Sequence, residues 1–234
     1  MNAIKATMSP DEIHTGDNDL YTNLLAQWCG YWGAWEIPVI GGHLILFDLP
    51  RDEKSFLTYD NDPIKSYKQA AAVLAIYPLQ YPPAEAQAKV MMDRFVDKVS
   101  KNGPAMTDSI HAIIWARLGE TDKAYETWRQ GWINYVYPPF LLFSEKKTLD
   151  RTYFTTGAAG ELQSVIYGFL GFRIDSKPEA GASWSLKLKG DRWLSIKPNL
   201  PKQWKKVTFR NFHVLGKTYT LTATHESVQV TQGD

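Results

Sequence analysis

The chain has 234 residues, with 26 Lys and Arg against 25 Asp and Glu and a formal charge of +1. Near-neutral charge with scattered cations supplies no electrostatic pull toward nucleic acid or an anionic lipid surface. The one cysteine, Cys29, excludes an internal disulfide and a cysteine-rich metal site.

The length allows one large domain, or a large one followed by a small one. Nine Trp, twelve Tyr and ten Phe form an unusually aromatic set. They suit a well-filled core, and equally a sugar pocket, where pyranose C–H faces pack on rings. No apolar run approaches the eighteen or so residues of a membrane span, and the first ten residues lack the apolar stretch of a signal peptide. The compartment stays open, secreted or cytoplasmic.

In chain order, the stretch MSPDEIHTGDNDLYTN comes first, crowding Asp11, Glu12, Asp17 and Asp19 beside an apolar segment. Carboxylates favour a helix start, and a catalytic acid at a pocket mouth would look similar. The segment that follows, DLYTNLLAQWCGYW, has helical apolar spacing. Residues 30–62 carry Pro38, Gly41, Gly42 and Pro50 and read as irregular, with one short strand expected at His43–Phe47. IKSYKQAAAVLAIYPL is Ala-rich and predicts a helix stopped at Pro78. AEAQAKVMMDRFVDKVS predicts an amphipathic helix after Pro82 and Pro83, closed by Asn102, Gly103 and Pro104. MTDSIHAIIWARLG ends at Gly119, ETDKAYETWRQGWINYV ends before Pro138, and GAAGELQSVIYGFLGF predicts the last helix. Short joints of this kind connect antiparallel helix neighbours.

From Ala182 the pattern changes to alternation. SWSLKLKG, RWLSIKP, KKVTFRNFHVLG, KTYTLTATHE and SVQVTQ predict five strands of an antiparallel sheet, a small or incomplete sandwich. The densest cations, Lys202 to Arg210, lie on one of these strands and read as a solvated edge. The expected fold class is therefore mainly α with a β tail, divided into 1–176 and 177–234.

Four residues stand out as candidates. Glu12 sits on a loop leading into a helix, ordinarily a solvated position. Glu145 follows the apolar run Phe140 to Phe143, read as a buried approach that delivers one carboxylate to a cavity wall; the bland alternative is a surface glutamate loosely paired with Lys146 or Lys147. Lys68 and Gln69, before the Ala-rich segment, bring several hydrogen-bond donors together, although a snorkelling lysine and a surface glutamine look the same. His111 lies on an apolar helix face, where a hydrogen-bonded core histidine is the ordinary finding. His14, His43, His213 and His225 show no metal-ligand spacing, and Walker and GxGxxG motifs are absent, so no metal and no cofactor are expected. TTGAAG opens a helix and would present N–H groups to a ligand or simply pack closely.

The ordered motifs MSPDEIH, YTN, KQA, GPAMTDSIHA, FSE and TGAAGELQSVIYGFLGFR resemble the C-terminal half of glycoside hydrolase family 65, over Met8 to Arg173. That family includes acid trehalases, other α-glucoside hydrolases and disaccharide phosphorylases. The resemblance implies the C-terminal half of an (α/α)6 toroid followed by a small antiparallel β domain, with a small-molecule carbohydrate as substrate. It implies Glu12 as general acid, Glu145 as general base, and Lys68 and Gln69 as the pair that holds the non-reducing glucose. Ile13 stands where the family usually has Tyr. The phosphorylases carry a His and a Ser in the Gly-rich loop; this chain has Phe154 and Gly157 there, which favours water over phosphate as nucleophile.

An inverting glycosidase needs a carboxylic acid and a carboxylate about 6.5–9.5 Å apart across the scissile bond, in differing surroundings. The acids around Glu12 and the cations Lys146 and Arg151 beside Glu145 would supply that difference. The alternatives are a phosphorylase of the same family, and a non-catalytic fragment or carbohydrate-binding remnant. Half a toroid would leave helix faces uncovered and favour self-association.

Overall fold

The computed structural model describes residues 3–36, 47–148 and 153–233, so the strand expected at His43–Phe47 lies largely outside the described residues, as does Arg151. The chain divides into two compact units, residues 1–110 and 111–234.

In the first unit, a two-residue pair of strands, β1 (Thr7–Met8) and β2 (Thr15–Gly16), brackets the turn that contains Glu12. Helix α1 follows (Leu20–Glu36), so Gly30 to Glu36 are helical, whereas the Pro and Gly residues of 30–62 read the whole stretch as irregular. Asp19 caps α1, its Oδ1 accepting the Thr22 amide at 2.8 Å and the Thr22 hydroxyl at 2.6 Å. Residues 47–62 carry no regular element beyond a bridge between Arg51 and Phe56. Arg94 ties this loop down with a bidentate contact to Asp52, at 2.9 and 2.6 Å. That hydrogen bonding holds the Asp52 carboxyl well below the usual carboxylate range.

The Ala-rich segment corrects the sequence reading. Only a 3-10 turn, Ala72–Ala75, forms there. The amides of Lys68, Gln69 and Ala70 bond to side chains from elsewhere, the first two to Asp11 and the third to Thr107 Oγ1 at 3.0 Å. Backbone donors engaged in this way are not available to a helical ladder, so tertiary contacts override the alanine propensity. The turn is buried throughout and packs on α1 and on the next helices. Those are α2 (Pro82–Glu85) and α3 (Ala88–Phe95), with a break at Ala86–Gln87 inside what the periodicity reads as one helix. Met91, Met92 and Phe95 bury the inner face of α3. Helix α4 (Thr107–Arg117) closes the first unit and opens the second.

In the second unit, α5 (Thr121–Ile133) leads to a short hairpin, β3 (Val136–Tyr137) with β4 (Leu142–Phe143). Helix α6 (Thr155–Gln163) continues into a π-helical turn, Ser164–Phe169. Edge-to-face contacts join Trp128 on α5 to Phe169 and Trp204, with ring centroids 6.1 and 5.1 Å apart.

Six strands follow. β5 (Phe172–Asp175), β6 (Trp184–Lys187) and β7 (Trp193–Ile196) form an antiparallel sheet in the order β5-β7-β6. β8 (Lys206–Val214), β9 (Lys217–Thr224) and β10 (Val228–Gln232) form a second, in the order β10-β9-β8. Phe172 meets Phe209 and Phe212, and Trp184 meets Tyr219, so the sheets are stitched by aromatic pairs into a small sandwich. The five strands expected from alternation are all present. β5 is additional: it follows the last helix through Gly171, whose φ is +64° and whose missing Cβ would lie 2.0 Å from the Lys197 carbonyl oxygen. The mainly helical first part and antiparallel β tail agree with the expected class at that level. No helix among the described residues is long and apolar enough to cross a membrane.

Candidate functional site

Glu12 sits in the tight turn between β1 and β2. The turn is closed by the Glu12 amide donating to the Ser9 carbonyl at 2.9 Å and the Ile13 amide to the Asp11 carbonyl at 2.8 Å. Glu12 adopts φ +51°, a left-handed conformation that costs a side-chain-bearing residue free energy. Its side chain is about half exposed and forms an ion pair with Lys68 Nζ. Gln69 Nε2 donates to the Pro10 carbonyl, on the other side of the same turn. Three of the four residues singled out in the sequence thus meet in the first unit, across 56 and 59 residues of chain.

The remaining acids of the opening stretch have separate tasks. Asp11 is fully buried. Its Oδ1 accepts the amides of Lys68 and Gln69, and its Oδ2 is paired with His14 Nδ1. Asp17 Oδ1 accepts the Ala6 amide at 2.8 Å, and Asp19 caps α1. The crowd of carboxylates is therefore mainly a set of backbone anchors around one outward-facing glutamate. His14 packs beside Tyr59 and Tyr67, with ring centroids 6.0 and 5.8 Å away. Tyr67 donates its hydroxyl to Asp62 at 2.6 Å; burial and that carboxylate push its phenol well above the usual range.

The Lys68–Gln69 segment is fixed along its whole length. Tyr67 bridges residues 98–100, donating its amide to the Lys98 carbonyl at 2.9 Å and accepting from the Ser100 amide at 2.8 Å. Gly103 lies against Lys68: a Cβ at position 103 would be 2.3 Å from the Lys68 carbonyl oxygen. In the sequence Gly103 reads as a helix stop and as part of the GPAMTDSIHA motif, and nothing there points to Asp11, Thr107 and His14 as supports. The spacing of Asp11 and His14, three residues apart across a turn, is the one local signal that could have suggested their pairing.

Glu145 belongs to the second unit. It directly follows β4 and the buried Ser144, whose amide donates to the Tyr135 carbonyl at 2.8 Å and whose hydroxyl donates to the Thr148 carbonyl at 2.9 Å. Glu145 is half-buried, and Lys146 and Lys147 after it are exposed. Lys147 Nζ lies 5.9 Å from the centre of the Tyr135 ring. The run before Glu145 is not the buried approach expected from its composition. Phe140 is 81% and Leu141 69% exposed, because they form the tip of the β3–β4 hairpin. At the Gly-rich loop, Phe154 is the N-cap of α6 and Gly157 is buried within its first turn. His111 is fully buried on α4, and burial pushes its imidazole down to about 4. Its Nε2 has no hydrogen-bond partner among the described residues. No group of three or more His, Cys, Asp or Glu suited to a metal occurs among the described residues.

Comparison with known proteins adds the wider context. The sequence model of the glycosyl hydrolase family 65 C-terminal domain matches residues 186–234. A kojibiose hydrolase from Flavobacterium johnsoniae is 34% identical over 165 residues, covering 70% of this chain and 22% of that protein. A protein-glucosylgalactosylhydroxylysine glucosidase from Dictyostelium discoideum is 27% identical over 236 residues, covering 94% of this chain and 31% of that protein. A cell wall acid trehalase from Arthroderma benhamiae is 29% identical, covering 70% and 16%. A solved structure described as a kojibiose phosphorylase from the human microbiome shares the fold, with a TM-score of 0.67 at 15% identity, over 99% of this chain and 38% of that one. The chain thus spans about a third or less of the length of these curated relatives. With the ordered motifs, these matches put the chain in glycoside hydrolase family 65, as the counterpart of the C-terminal portion of its longer members.

Proposed function

We propose that this chain carries the catalytic motifs of an inverting α-glucoside hydrolase. Glu12 donates the proton to the leaving oxygen, Glu145 activates the attacking water, and Lys68 and Gln69 hold the non-reducing glucose. The observation that carries the reading is the meeting of Glu12, Lys68 and Gln69 at one turn, which puts a carboxyl group and several hydrogen-bond donors side by side. The names of the relatives point to α-linked glucosyl substrates.

In this reading, residues 1–176 contribute half of an (α/α)6 toroid and 177–234 a β domain whose sheet borrows its first strand, β5, from the end of the helical part. An inverting mechanism requires about 6.5–9.5 Å between its two carboxyl groups. The exposed Phe140, Leu141 and Leu162 side chains support self-association of the isolated chain.

The test is glucose release from trehalose and kojibiose by the 234-residue chain and by an N-terminally extended version, with the anomer of the first product read by NMR. Inversion and loss of turnover in Glu12→Gln and Glu145→Gln are expected; activity surviving either substitution overturns the assignment. The fold match to a phosphorylase-type structure favours a second reading. Glucose 1-phosphate formed only when phosphate is added would establish it, against the argument from Phe154 and Gly157.

A further inference from the structure

We propose that Asp11 is the positioning residue of this site, fixing the Glu12 turn and the Lys68–Gln69 segment at a set distance; the inference rests on the sugar-site reading above. Asp11 neighbours Glu12 in sequence but does the opposite thing in space. It is fully buried, whereas the Glu12 side chain is half exposed. One Asp11 oxygen accepts two successive amides, those of Lys68 and Gln69, and the other is paired with His14. A buried carboxylate that gathers several donors in this way orients them.

The two segments are sewn together in both directions. Asp11 reaches from the turn to the backbone of Lys68 and Gln69. Their side chains reach back, Lys68 Nζ to Glu12 and Gln69 Nε2 to the Pro10 carbonyl. The outward pair cannot hold this register alone, because an ion pair between two partly exposed, long side chains contributes little and moves freely. The buried bonds of Asp11 set it, and His14, packed beside Tyr59 and Tyr67, braces the second oxygen. Fully buried and bonded at both oxygens, Asp11 acts through Glu12, Lys68 and Gln69.

The experiment uses the 234-residue chain with Asp11→Ala and Asp11→Asn, read by amide hydrogen exchange over residues 66–70 and by D-glucose binding. Asp11→Ala should speed exchange there at least tenfold and weaken glucose binding at least tenfold. Asp11→Asn keeps an acceptor oxygen for the two amides and should restore both to within about threefold of the parent. The proposal is overturned if exchange over 66–70 is unchanged in Asp11→Ala, or if exchange rises while glucose affinity holds, which would make Asp11 a structural cap only. If the parent chain binds no glucose, the sugar-site reading of this chain fails. The exchange measurement then still decides whether Asp11 sets the Lys68–Gln69 backbone.

Discussion

Lys68 Nζ closes on Glu12 from 56 residues further along the chain, and this ion pair is made between side chains that solvent still reaches. Pairs of this kind contribute under about 1 kcal/mol to folding. Lys68→Met should therefore shift the urea midpoint only slightly. In an active, N-terminally extended protein it should lower hydrolysis at least tenfold. Equal losses in stability and turnover would show that Lys68 serves the fold and not the substrate.

The left-handed backbone at Glu12 allows a separation of stability from activity. A non-glycine residue in this region costs about 1–2 kcal/mol, which glycine avoids. Glu12→Gly should leave the melting temperature unchanged or raise it by a few degrees while abolishing hydrolysis. Glu12→Val, β-branched at the same φ, should lower it. Thermal unfolding of the two variants side by side checks the point; a Glu12→Gly protein that is clearly less stable would mean that the side chain contributes more to the fold than its exposure suggests.

Gly103 packs directly against the backbone of Lys68. A methyl group there would meet the Lys68 carbonyl oxygen at 2.3 Å, and that oxygen belongs to a backbone pinned by Asp11 and Tyr67. Gly103→Ala should cost about 1–3 kcal/mol, the usual penalty for overpacking. It should also weaken glucose binding by displacing Lys68. Chemical denaturation and a binding isotherm on the same sample test both halves.

His111 predicts a pH dependence. Its folded value, about 4, lies below the ordinary histidine value of 6.5 because burial disfavours the cation. Between those values the unfolded chain binds a proton that the folded chain does not, so stability falls as pH falls from 6.5 toward 4. At about 1.4 kcal/mol per pH unit, the step from pH 6.5 to 4.5 carries about 2–3 kcal/mol. His111→Leu should flatten that part of the stability profile, as measured by urea unfolding at several pH values. An unchanged slope would assign the acid sensitivity to other groups.

The β tail was easy to read in the sequence because alternation there reports one-sided burial directly: Tyr219, Leu221 and Ala223 of β9 all point into the sandwich. Strand β5 was hidden because Phe172–Asp175 continues the helix-like run without a polar break, and only the close approach at Gly171 turns the chain. The Ala-rich segment misled for a different reason. Helix propensity is local, whereas the acceptors that dismantle the helix, Asp11 and Thr107, lie far away in the chain. Phe140 to Phe143 misled because composition cannot distinguish a buried run from a hairpin tip. At the Glu12 turn, Glu12, Lys68 and Gln69 stood out in the sequence by type, but that they meet was not legible. The division of labour among the acids was not legible either, since a capping carboxylate and one facing solvent have the same chemistry until their hydrogen bonds are known.

The anchoring of Lys68, Gln69 and Ala70 also has a kinetic consequence. Their amides are satisfied by partners at 11 and 107, on either side of them in the chain. Nothing within the segment can nucleate its own order. It must wait until both loops have closed and paid their entropy, which makes it one of the slow, non-local steps of assembly. The part of the chain that would grip the sugar should accordingly be among the last to take shape as the polypeptide folds.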